Sequence, residues 1–354
     1  MKIAIISDTH WGVRNDSAAF ADYFKKFYDN VFFPYLEMND VKTVFHLGDI
    51  VERRKYINFS TADRLEKDFV RPLSELGITT YYVVGNHDTY YKNTNEINAM
   101  TQLYGGREYS NMTIVSEPTE FSFDGCKIVL MPWMCPDNME RALTMVRDTS
   151  AQVLMGHLEL AGFEMNKGAI IDHGMDSAVF DKFDLVCSGH YHHKSSRGNI
   201  HYLGCPYEIT WSDYGDQKGF HVFDTETREL TFIPNRYTMF NKLHYDDSRS
   251  TLSELMETDF EQFRDTYVKV IVHAKTNPYW FDTFIDRLEK IDPLGIQVVE
   301  DNLYLNLEDD EQIVSEAEDT LTILKKFIDN VDLNVERKDV ERFLTELYSE
   351  ASSI

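Results

Sequence analysis

Five short apolar runs in this chain of 354 residues each lead into a histidine, an aspartate or an asparagine. The runs cover residues 2–6, 41–47, 79–84, 151–155 and 184–187. They lead into Asp8-Thr9-His10, Gly48-Asp49, Gly85-Asn86-His87-Asp88, Gly156-His157 and Gly189-His190-Tyr191-His192. A single Asn-His pair is more often a turn with a hydrogen-bonded histidine, but five such junctions exceed coincidence. Carboxylate, amide and imidazole groups together suit a divalent metal ion.

The apolar runs are the elements that must position these side chains. Their β-branched and aromatic residues predict buried strands, and ligands of open α/β sheets lie at the carboxyl ends of strands. We therefore predict an α/β fold with the polar groups gathered at one edge. A helix after Asp16 is predicted to end or kink at Pro34. A second helix is predicted to open at Ser60 and end near Leu76, and Asp124-Gly125 predicts a hairpin that begins a second sheet.

The order of these motifs resembles that of the calcineurin-like metallophosphoesterase superfamily. Within it, the chain is similar to SbcD-type DNA repair nucleases, and especially to the recombination nuclease subunits of T-even-like phages. The closer match is carried by Asp8-Thr9-His10-Trp11-Gly12-Val13, Gly85-Asn86-His87-Asp88 and Met131-Pro132-Trp133-Met134-Cys135. The resemblance implies a metallophosphoesterase β-sandwich flanked by helices, a small α+β capping domain and a C-terminal helical hairpin.

The resemblance also implies a ligand set for two divalent metal ions. Asp49 would bridge them. One site would be completed by Asp8, His10 and His192, and the other by Asn86, His157 and His190. His87 would lie beside the ions without binding them and would act as a general acid or stabilise charge in the transition state. Mixed nitrogen and oxygen ligands suit Mn²⁺ best, with Fe or Zn as alternatives.

Two loops carry candidate DNA contacts. Three consecutive cations, Arg53, Arg54 and Lys55, follow Gly48-Asp49, and either contact DNA phosphates or form a solvated surface. The sequence Tyr90-Tyr91-Lys92 either stacks on a frayed DNA end or is an exposed aromatic loop. Many SbcD-type nucleases have a histidine shortly after the Gly-Asp motif, where this chain has Glu52, so the balance between exonuclease and endonuclease activity stays open.

The formal net charge of −25 is unusual for a protein that acts on DNA, because phosphate-binding proteins usually present a basic face. Residues 301–354 account for much of it, with 15 acidic against 5 basic residues. Four cysteines without C-x-x-C spacing predict reduced thiols in a cytoplasmic protein, in the host cytoplasm if the gene belongs to a phage. The first strand is too short for a signal peptide, and no run reaches membrane-spanning length, so we expect no membrane association.

Changes in composition and pattern divide the chain into residues 1–235, 236–307 and 308–354, and the last segment is predicted to be helical. The resemblance implies that the first part is a nuclease domain and that the second is an α+β domain that caps the site and binds DNA. The last segment has an apolar stripe at helical spacing, formed by Ile313, Ala317, Leu321, Leu324 and Ile328. It either packs back on the body or, as the resemblance implies, binds an SbcC-like coiled-coil ATPase. The resemblance further implies a homodimer.

The predicted function is that of a Mn-dependent DNA exonuclease and endonuclease subunit. It would hydrolyse phosphodiester bonds at DNA ends in recombination and double-strand-break repair. A phosphomonoesterase or cyclic-nucleotide phosphodiesterase has the same ligand chemistry, although about 120 residues after Pro234 exceed a minimal phosphatase. A non-catalytic scaffold that docks an ATPase is the alternative from another class, which a complete ligand set disfavours.

Overall fold

The computed structural model describes residues 1–106, 109–166 and 168–300. The predicted C-terminal helical hairpin lies outside the described residues. Seventeen strands run through the described part of the chain. In chain order they are β1 (Lys2–Ile6), β2 (Thr43–His46), β3 (Thr79–Val83), β4 (Met112–Val115), β5 (Thr119–Phe123), β6 (Cys126–Met131), β7 (Val153–His157), β8 (Glu164–Asn166), β9 (Ala169–Ile170), β10 (Leu185–Gly189), β11 (Ser195–Arg197), β12 (Ile200–Tyr202), β13 (Gly219–Asp224), β14 (Leu230–Pro234), β15 (Phe240–Asp246), β16 (Tyr267–Ala274) and β17 (Gly295–Glu300).

Two mixed six-stranded sheets form the body of the protein. The first has the order β14-β13-β1-β2-β3-β4, and the second has the order β11-β12-β10-β7-β6-β5. In each sheet four strands are parallel, β1 to β4 in one and β6, β7, β10 and β12 in the other. The five predicted strands that lead into polar residues are all among these eight. The predicted hairpin is β5 and β6, which pair antiparallel around Asp124-Gly125.

The two sheets pack face to face because their strands have apolar residues on both faces. Successive residues of a strand point to opposite faces, so one set fills the core between the sheets and the other set faces outward. Ile3 and Ile5 of β1 belong to the core between the sheets with Ile128 and Leu130 of β6. The intervening residues of β1, such as Ala4, belong to a second core beneath helices. The outer face of the second sheet has a third core. The body is therefore a β-sandwich with helices on both outer faces, as the sequence predicted.

Apart from the single turn Val13–Asp16, the α-helices of the body are α1 (Ala18–Phe27), α2 (Phe33–Met38), α3 (Phe59–Leu65), α4 (Arg71–Glu75), α5 (Ala99–Tyr104) and α6 (Met139–Asp148). The regular helix α1 ends before Pro34, but the helical path continues through the proline to Met38. A π-helical turn, Tyr28–Phe32, joins α1 to α2, and another, Glu66–Val70, joins α3 to α4 just before Pro72. In a regular α-helix, a proline ring clashes with the carbonyl of the residue four positions before it. In both helices that residue lies in the π-helical turn, whose wider geometry relieves the clash. The second helix begins at Phe59, with Asn58 as its N-cap.

A third sheet, of the parallel strands β15, β16 and β17, follows the sandwich. Helices α7 (Leu252–Glu257) and α8 (Pro278–Glu289) contribute to the core on one of its faces. Glu208 joins this sheet to the body, since its Oε2 accepts hydrogen bonds from the backbone N–H groups of Met239 at 2.6 Å and Phe240 at 2.8 Å. Within the described ranges, no helix is both long enough and apolar enough to cross a bilayer.

Candidate metal centre

Sharp backbone turns at the ends of parallel strands bring the predicted polar residues together. Asp8, His10, Asp49 and His190 all have positive φ, at 54°, 44°, 52° and 90°. Residues other than glycine seldom adopt a positive φ, and such backbone strain persists only where the surrounding structure holds it in place. The turn after β1 is fixed on the turn after β2, because the N–H groups of Asp8 and His10 donate to the carbonyls of Gly48 at 3.0 Å and Asp49 at 3.1 Å.

Two glycines allow the turns to approach one another. A Cβ on Gly85 would lie 2.4 Å from Oδ1 of Asp49, and a Cβ on Gly189 would lie 2.8 Å from Oδ2 of Asp8. Both distances are shorter than van der Waals contact. The Gly-Asn-His-Asp and Gly-His-x-His motifs therefore need glycine at their first positions to place the residues that follow.

One group of donor atoms is formed by Asp8, His10 and His192. The Nε2 atoms of the two histidines lie 2.9 Å apart. Nδ1 of His10 lies 2.8 Å from Oε2 of Glu52. The charge of that carboxylate favours a proton on Nδ1, which leaves the lone pair of Nε2 to point into the group. Asp8 also accepts the backbone N–H of His190, at 3.0 Å, which ties this group to the next.

The second group consists of Asp49, His157 and His190, joined by Asn86. Oδ1 of Asn86 lies 2.8 Å from Nε2 of His157 and 3.0 Å from Nδ1 of His190. Nδ1 of His157 is 2.8 Å from the carbonyl of Leu47, which fixes its proton there and leaves Nε2 as an acceptor. Oδ1 of Asn86 and Nε2 of His157 are then two acceptors at hydrogen-bond distance, which only a cation or an extra proton can satisfy.

Asp49 lies between the two groups. Its Oδ2 is 3.4 Å from Nε2 of His157 and 3.9 Å from Nε2 of His10, while Oδ1 accepts the backbone N–H of His87 at 2.8 Å. The side chain is 2 % exposed. One buried carboxylate can thus reach both sets of donors.

The charges of the site favour a cation. Burial alone would lower the pKa of His10, but Glu52, Asp49 and Asp8 raise the pKa to about 10. Burial would likewise lower the pKa of His157, yet Asp49 and Asp8 raise it to about 9. The carboxyl of Asp49 has its pKa held well below the usual value by His157 and His87, against the effect of burial. Together with the mixed oxygen and nitrogen donors, this field fits divalent metal ions.

His87 is placed differently from the other histidines. Its Nδ1 lies 2.7 Å from the backbone carbonyl of Glu52, and its ring meets that of His10 edge to face, with the centroids 5.0 Å apart. His87 shares a possible donor group with His10 and Glu52 but is absent from both groups around Asp49. A proton on Nδ1, donated to this carbonyl, leaves Nε2 as the nitrogen that a substrate can contact.

Two carboxylates of the centre were missed as functional residues. Glu52 occupies the loop position at which the resemblance led us to expect histidine, and it contacts His10. Asp88 is fully buried and accepts three backbone hydrogen bonds, from Gly85 and Ile50 at 2.8 Å and from Val51 at 3.1 Å. It joins the turn after β3 to the turn after β2. Its place in the Gly-Asn-His-Asp motif was the only signal in the sequence.

The predicted DNA contacts occupy unlike environments. Arg53 forms an ion pair with Asp16 at 2.5 Å, and Arg54 is half-buried, with its pKa lowered by burial. Lys55 and Lys92 are exposed. Tyr90 and Tyr91 are exposed and lie edge to face, 4.7 Å between centroids. Arg53 therefore holds its own loop, while the other side chains stay candidates for DNA contacts.

The sequence of residues 1–194 matches the family described as calcineurin-like phosphoesterase. The chain belongs to this family. Exonuclease subunit 1 of Enterobacteria phage T4 is 32% identical, over 99% of this phosphoesterase and 100% of the relative. A subunit of the SbcCD nuclease of Staphylococcus epidermidis is 23% identical, over 94% and 93% of the two chains. A putative phosphoesterase of Invertebrate iridescent virus 3 is 27% identical, over 58% and 57%.

Membership of this family supports the assignment of the donor groups as metal ligands. This phosphoesterase is an enzyme of a class that uses divalent metals, and its candidate ligands lie at the carboxyl ends of the strands of a β-sandwich. The resemblance found in the sequence is thus confirmed at the level of the family and the fold.

Proposed function

We propose that this phosphoesterase is a nuclease that hydrolyses phosphodiester bonds in DNA with two divalent metal ions. The observation that carries the proposal is the position of Asp49, whose Oδ2 lies 3.4 Å from one group of donors and 3.9 Å from the other. Two relatives that match nearly the whole chain are named as an exonuclease subunit and a nuclease subunit, which supports DNA as the substrate.

Asp8, His10, Asp49 and His192 would hold one ion, and Asp49, Asn86, His157 and His190 the other. A bound pair of divalent ions activates water and neutralises the charge of the phosphate oxygens. The chain itself supplies the orientation of the ligands. Glu52 and the carbonyl of Leu47 hold protons on the outer nitrogens of His10 and His157, so that the inner nitrogens stay free to bind.

His87 would act on the substrate and not on the metals. Its Nδ1 is fixed on the carbonyl of Glu52, so Nε2 is free to donate a proton to the leaving oxygen or a hydrogen bond to a phosphate oxygen. Arg54, Lys55, Tyr90, Tyr91 and Lys92 are proposed as DNA contacts. Arg53 is proposed to support the loop through Asp16.

The finer features of the function are also proposals. Four imidazoles among seven ligands favour Mn²⁺ over Mg²⁺, which prefers oxygen ligands. Buried free cysteines at 126, 135, 187 and 205 agree with a reducing cytoplasm, that of the host if a phage carries the gene. Residues 236–307 would cap the site, residues 308–354 would bind an SbcC-like ATPase, and the nuclease would act as a homodimer in recombination and double-strand-break repair.

A direct test compares two substrates in the presence of Mn²⁺. The purified chain should degrade end-labelled duplex DNA much faster than a simple phosphomonoester such as p-nitrophenyl phosphate. Asp49→Ala should abolish cleavage and metal binding, because it removes a carboxylate shared by both sites. Asp184→Ala, an exposed aspartate next to β10, is the matched control and should behave as the wild type. Faster hydrolysis of the monoester would instead favour a phosphatase.

A further inference from the structure

An apolar cavity of about 120 Å³ lies beside the candidate metal centre. Its walls include Trp133, the methionines at 134, 139 and 175, and Glu159, whose Oε1 lies 3.4 Å from Nε2 of His173. Trp133 also packs against two candidate ligands, with its ring centroid 5.4 Å from that of His190 and 6.2 Å from that of His157. One aromatic ring therefore borders both the cavity and the donor groups.

The backbone of Trp133 is held in place from two sides. Its N–H donates to the carbonyl of Val84, directly before the Gly-Asn-His-Asp turn, at 2.8 Å. Its carbonyl accepts from the side-chain amides of Asn95 at 2.8 Å and Asn138 at 3.0 Å. Both asparagines are buried, at 2 % and 0 % exposure. A backbone fixed in this way presents the indole as a stable platform, so a ligand that stacks on it loses little entropy to ordering the protein.

Glu159, Leu160, Gly174 and Met175 also line the cavity, and a short ladder of backbone hydrogen bonds joins their two segments. The N–H of Met175 donates to the carbonyl of Glu159 at 2.9 Å, and the N–H of Ala161 donates to the carbonyl of Met175 at 3.1 Å. Gly174 has a φ of 108°, and a Cβ there would lie 2.9 Å from the carbonyl of Glu159. The glycine thus permits the ladder and adds no side chain to the cavity.

We propose that this cavity binds the nucleobase of the nucleotide whose phosphate lies at the metal centre, and this inference rests on the proposed nuclease function. The base would stack on Trp133, between the indole and the flexible methionine side chains. Methionine adapts to ligands of different shape, so purines and pyrimidines both fit the proposal. The carboxylate of Glu159 can accept a hydrogen bond from an exocyclic amino group, which an aliphatic or lipid ligand does not have.

The test measures what the base adds to binding. Calorimetry in Mn²⁺ would compare dAMP with deoxyribose 5-phosphate, which has the same phosphate and no base. We expect the wild type to bind dAMP more tightly by roughly 5- to 150-fold, the range that stacking of a base on an aromatic ring supplies. Equal affinity for the two ligands, or no binding of either, would overturn the proposal.

Two variants locate the effect. Met139→Trp fills the cavity from helix α6, and this side chain belongs to none of the candidate donor groups, so binding of deoxyribose 5-phosphate should be unchanged while the advantage of dAMP disappears. Met38→Trp, at a side chain that is 85% exposed, is the matched control and should keep the full advantage. An unchanged advantage in Met139→Trp would place the base elsewhere and refute the cavity.

Cleavage assays on the same samples separate this inference from the function on which it rests. An oligonucleotide with one tetrahydrofuran abasic residue should be cut roughly ten-fold more slowly at that position by the wild type, but not by Met139→Trp, relative to each protein's rate on intact DNA. DNA cleavage without any effect of the base would refute the cavity alone. A base-dependent affinity without DNA cleavage would refute the nuclease function alone.

Discussion

The imidazole of His87 lies at the centre but outside both donor groups around Asp49. One of its nitrogens is held by a backbone carbonyl. Its Nδ1 is 2.7 Å from the carbonyl of Glu52, and its own N–H donates to Asp49 at 2.8 Å. The backbone of His87 thus supports the shared carboxylate, while its side chain is not one of the candidate ligands. This separation allows the side chain to be replaced without removing a metal ligand.

We therefore predict that His87→Asn keeps both metal ions and binds DNA almost normally, because the backbone bond to Asp49 remains. Its cleavage rate should fall by roughly 10²- to 10⁴-fold, the usual contribution of a positioned acid or base. Metal content and single-turnover cleavage would be measured together. His173→Asn, at a histidine whose side chain is 62% exposed, should retain the wild-type rate. Loss of metal from His87→Asn would instead make this residue a ligand.

At the scale of single residues, the sequence predicted the candidate donors but not all of the residues that support them. The seven candidate ligands could be named because each follows a strand in a motif of recognisable type, and the structure brings all seven together. Glu52 could not be placed, because its approach to His10 depends on the path of the loop after Asp49, where the N–H of Glu52 donates to the carbonyl of Trp11. The pairing of Arg53 with Asp16 likewise joins residues 37 positions apart, which no local pattern records.

At the scale of elements, Asp88 is the connection between two strand ends. Three buried backbone N–H groups, from Gly85, Ile50 and Val51, all end on its carboxylate. The turns that carry Asp49 and Asn86 are therefore held in register by one side chain. No water or second acceptor is needed to satisfy these groups while Asp88 is present.

We predict that Asp88→Ala lowers the free energy of unfolding by on the order of 3 kcal/mol or more, because a buried N–H left without a partner costs about 1–3 kcal/mol. Metal affinity should fall as well, since the two turns lose their common anchor. Urea unfolding and metal titration would measure the two effects. Asp172→Ala, at an exposed aspartate, should leave both unchanged. Wild-type stability in Asp88→Ala would show that the turns are held by other contacts.

The strands were easier to predict than the helices. Short apolar runs between polar turns predicted β1, β2, β3, β7 and β10, because burial on both faces leaves a continuous apolar stretch. The helices ran on past Pro34 and Pro72 through π-helical turns, which the rule for proline in a regular α-helix does not include. The pairing of the two sheets also depends on contacts between distant strands, so the sequence could indicate it only through family resemblance.

At the scale of the whole molecule, Glu208 joins the sandwich to the third sheet. Its carboxylate is 2 % exposed and accepts two backbone hydrogen bonds at the start of β15. Burial, with a smaller contribution from Asp213, raises its pKa from 4.5 to about 7, although the two backbone bonds act in the opposite direction. The folded protein therefore binds a proton at Glu208 more tightly than the unfolded chain does.

It follows that protonation of Glu208 stabilises the fold. This contribution should be complete below about pH 4.5 and should be lost as the pH rises through about 7. As the pH rises through this window, the free energy of unfolding of the wild type should fall relative to that of Glu208→Gln, by up to on the order of 3 kcal/mol. Thermal unfolding at several pH values would measure this difference. Glu226→Gln, at an exposed glutamate, should parallel the wild type. A constant difference between wild type and Glu208→Gln across the window would contradict the raised pKa.

The C-terminal segment carries much of the negative charge of the chain and none of the candidate ligands. Residues 301–354 have 15 acidic and 5 basic side chains. Ile313, Ala317, Leu321, Leu324 and Ile328 repeat every three or four positions, so a helix formed there would have one apolar face. We propose that this face binds the coiled coil of a separate ATPase, and that the acidic residues steer the association, an effect that salt should weaken.

We predict that a chain ending at residue 307 folds, binds Mn²⁺ and cleaves small phosphodiesters at the wild-type rate, because all seven candidate ligands and their supports precede residue 210. It should fail to co-elute with the ATPase that we propose as the partner of the full chain. The double variant Leu321→Asp and Leu324→Asp, in the full-length chain, should lose the same association while keeping its length and acidic character. If the shortened chain aggregates, or melts far below the full chain, the segment belongs to the core and the apolar face has its partner within the protein.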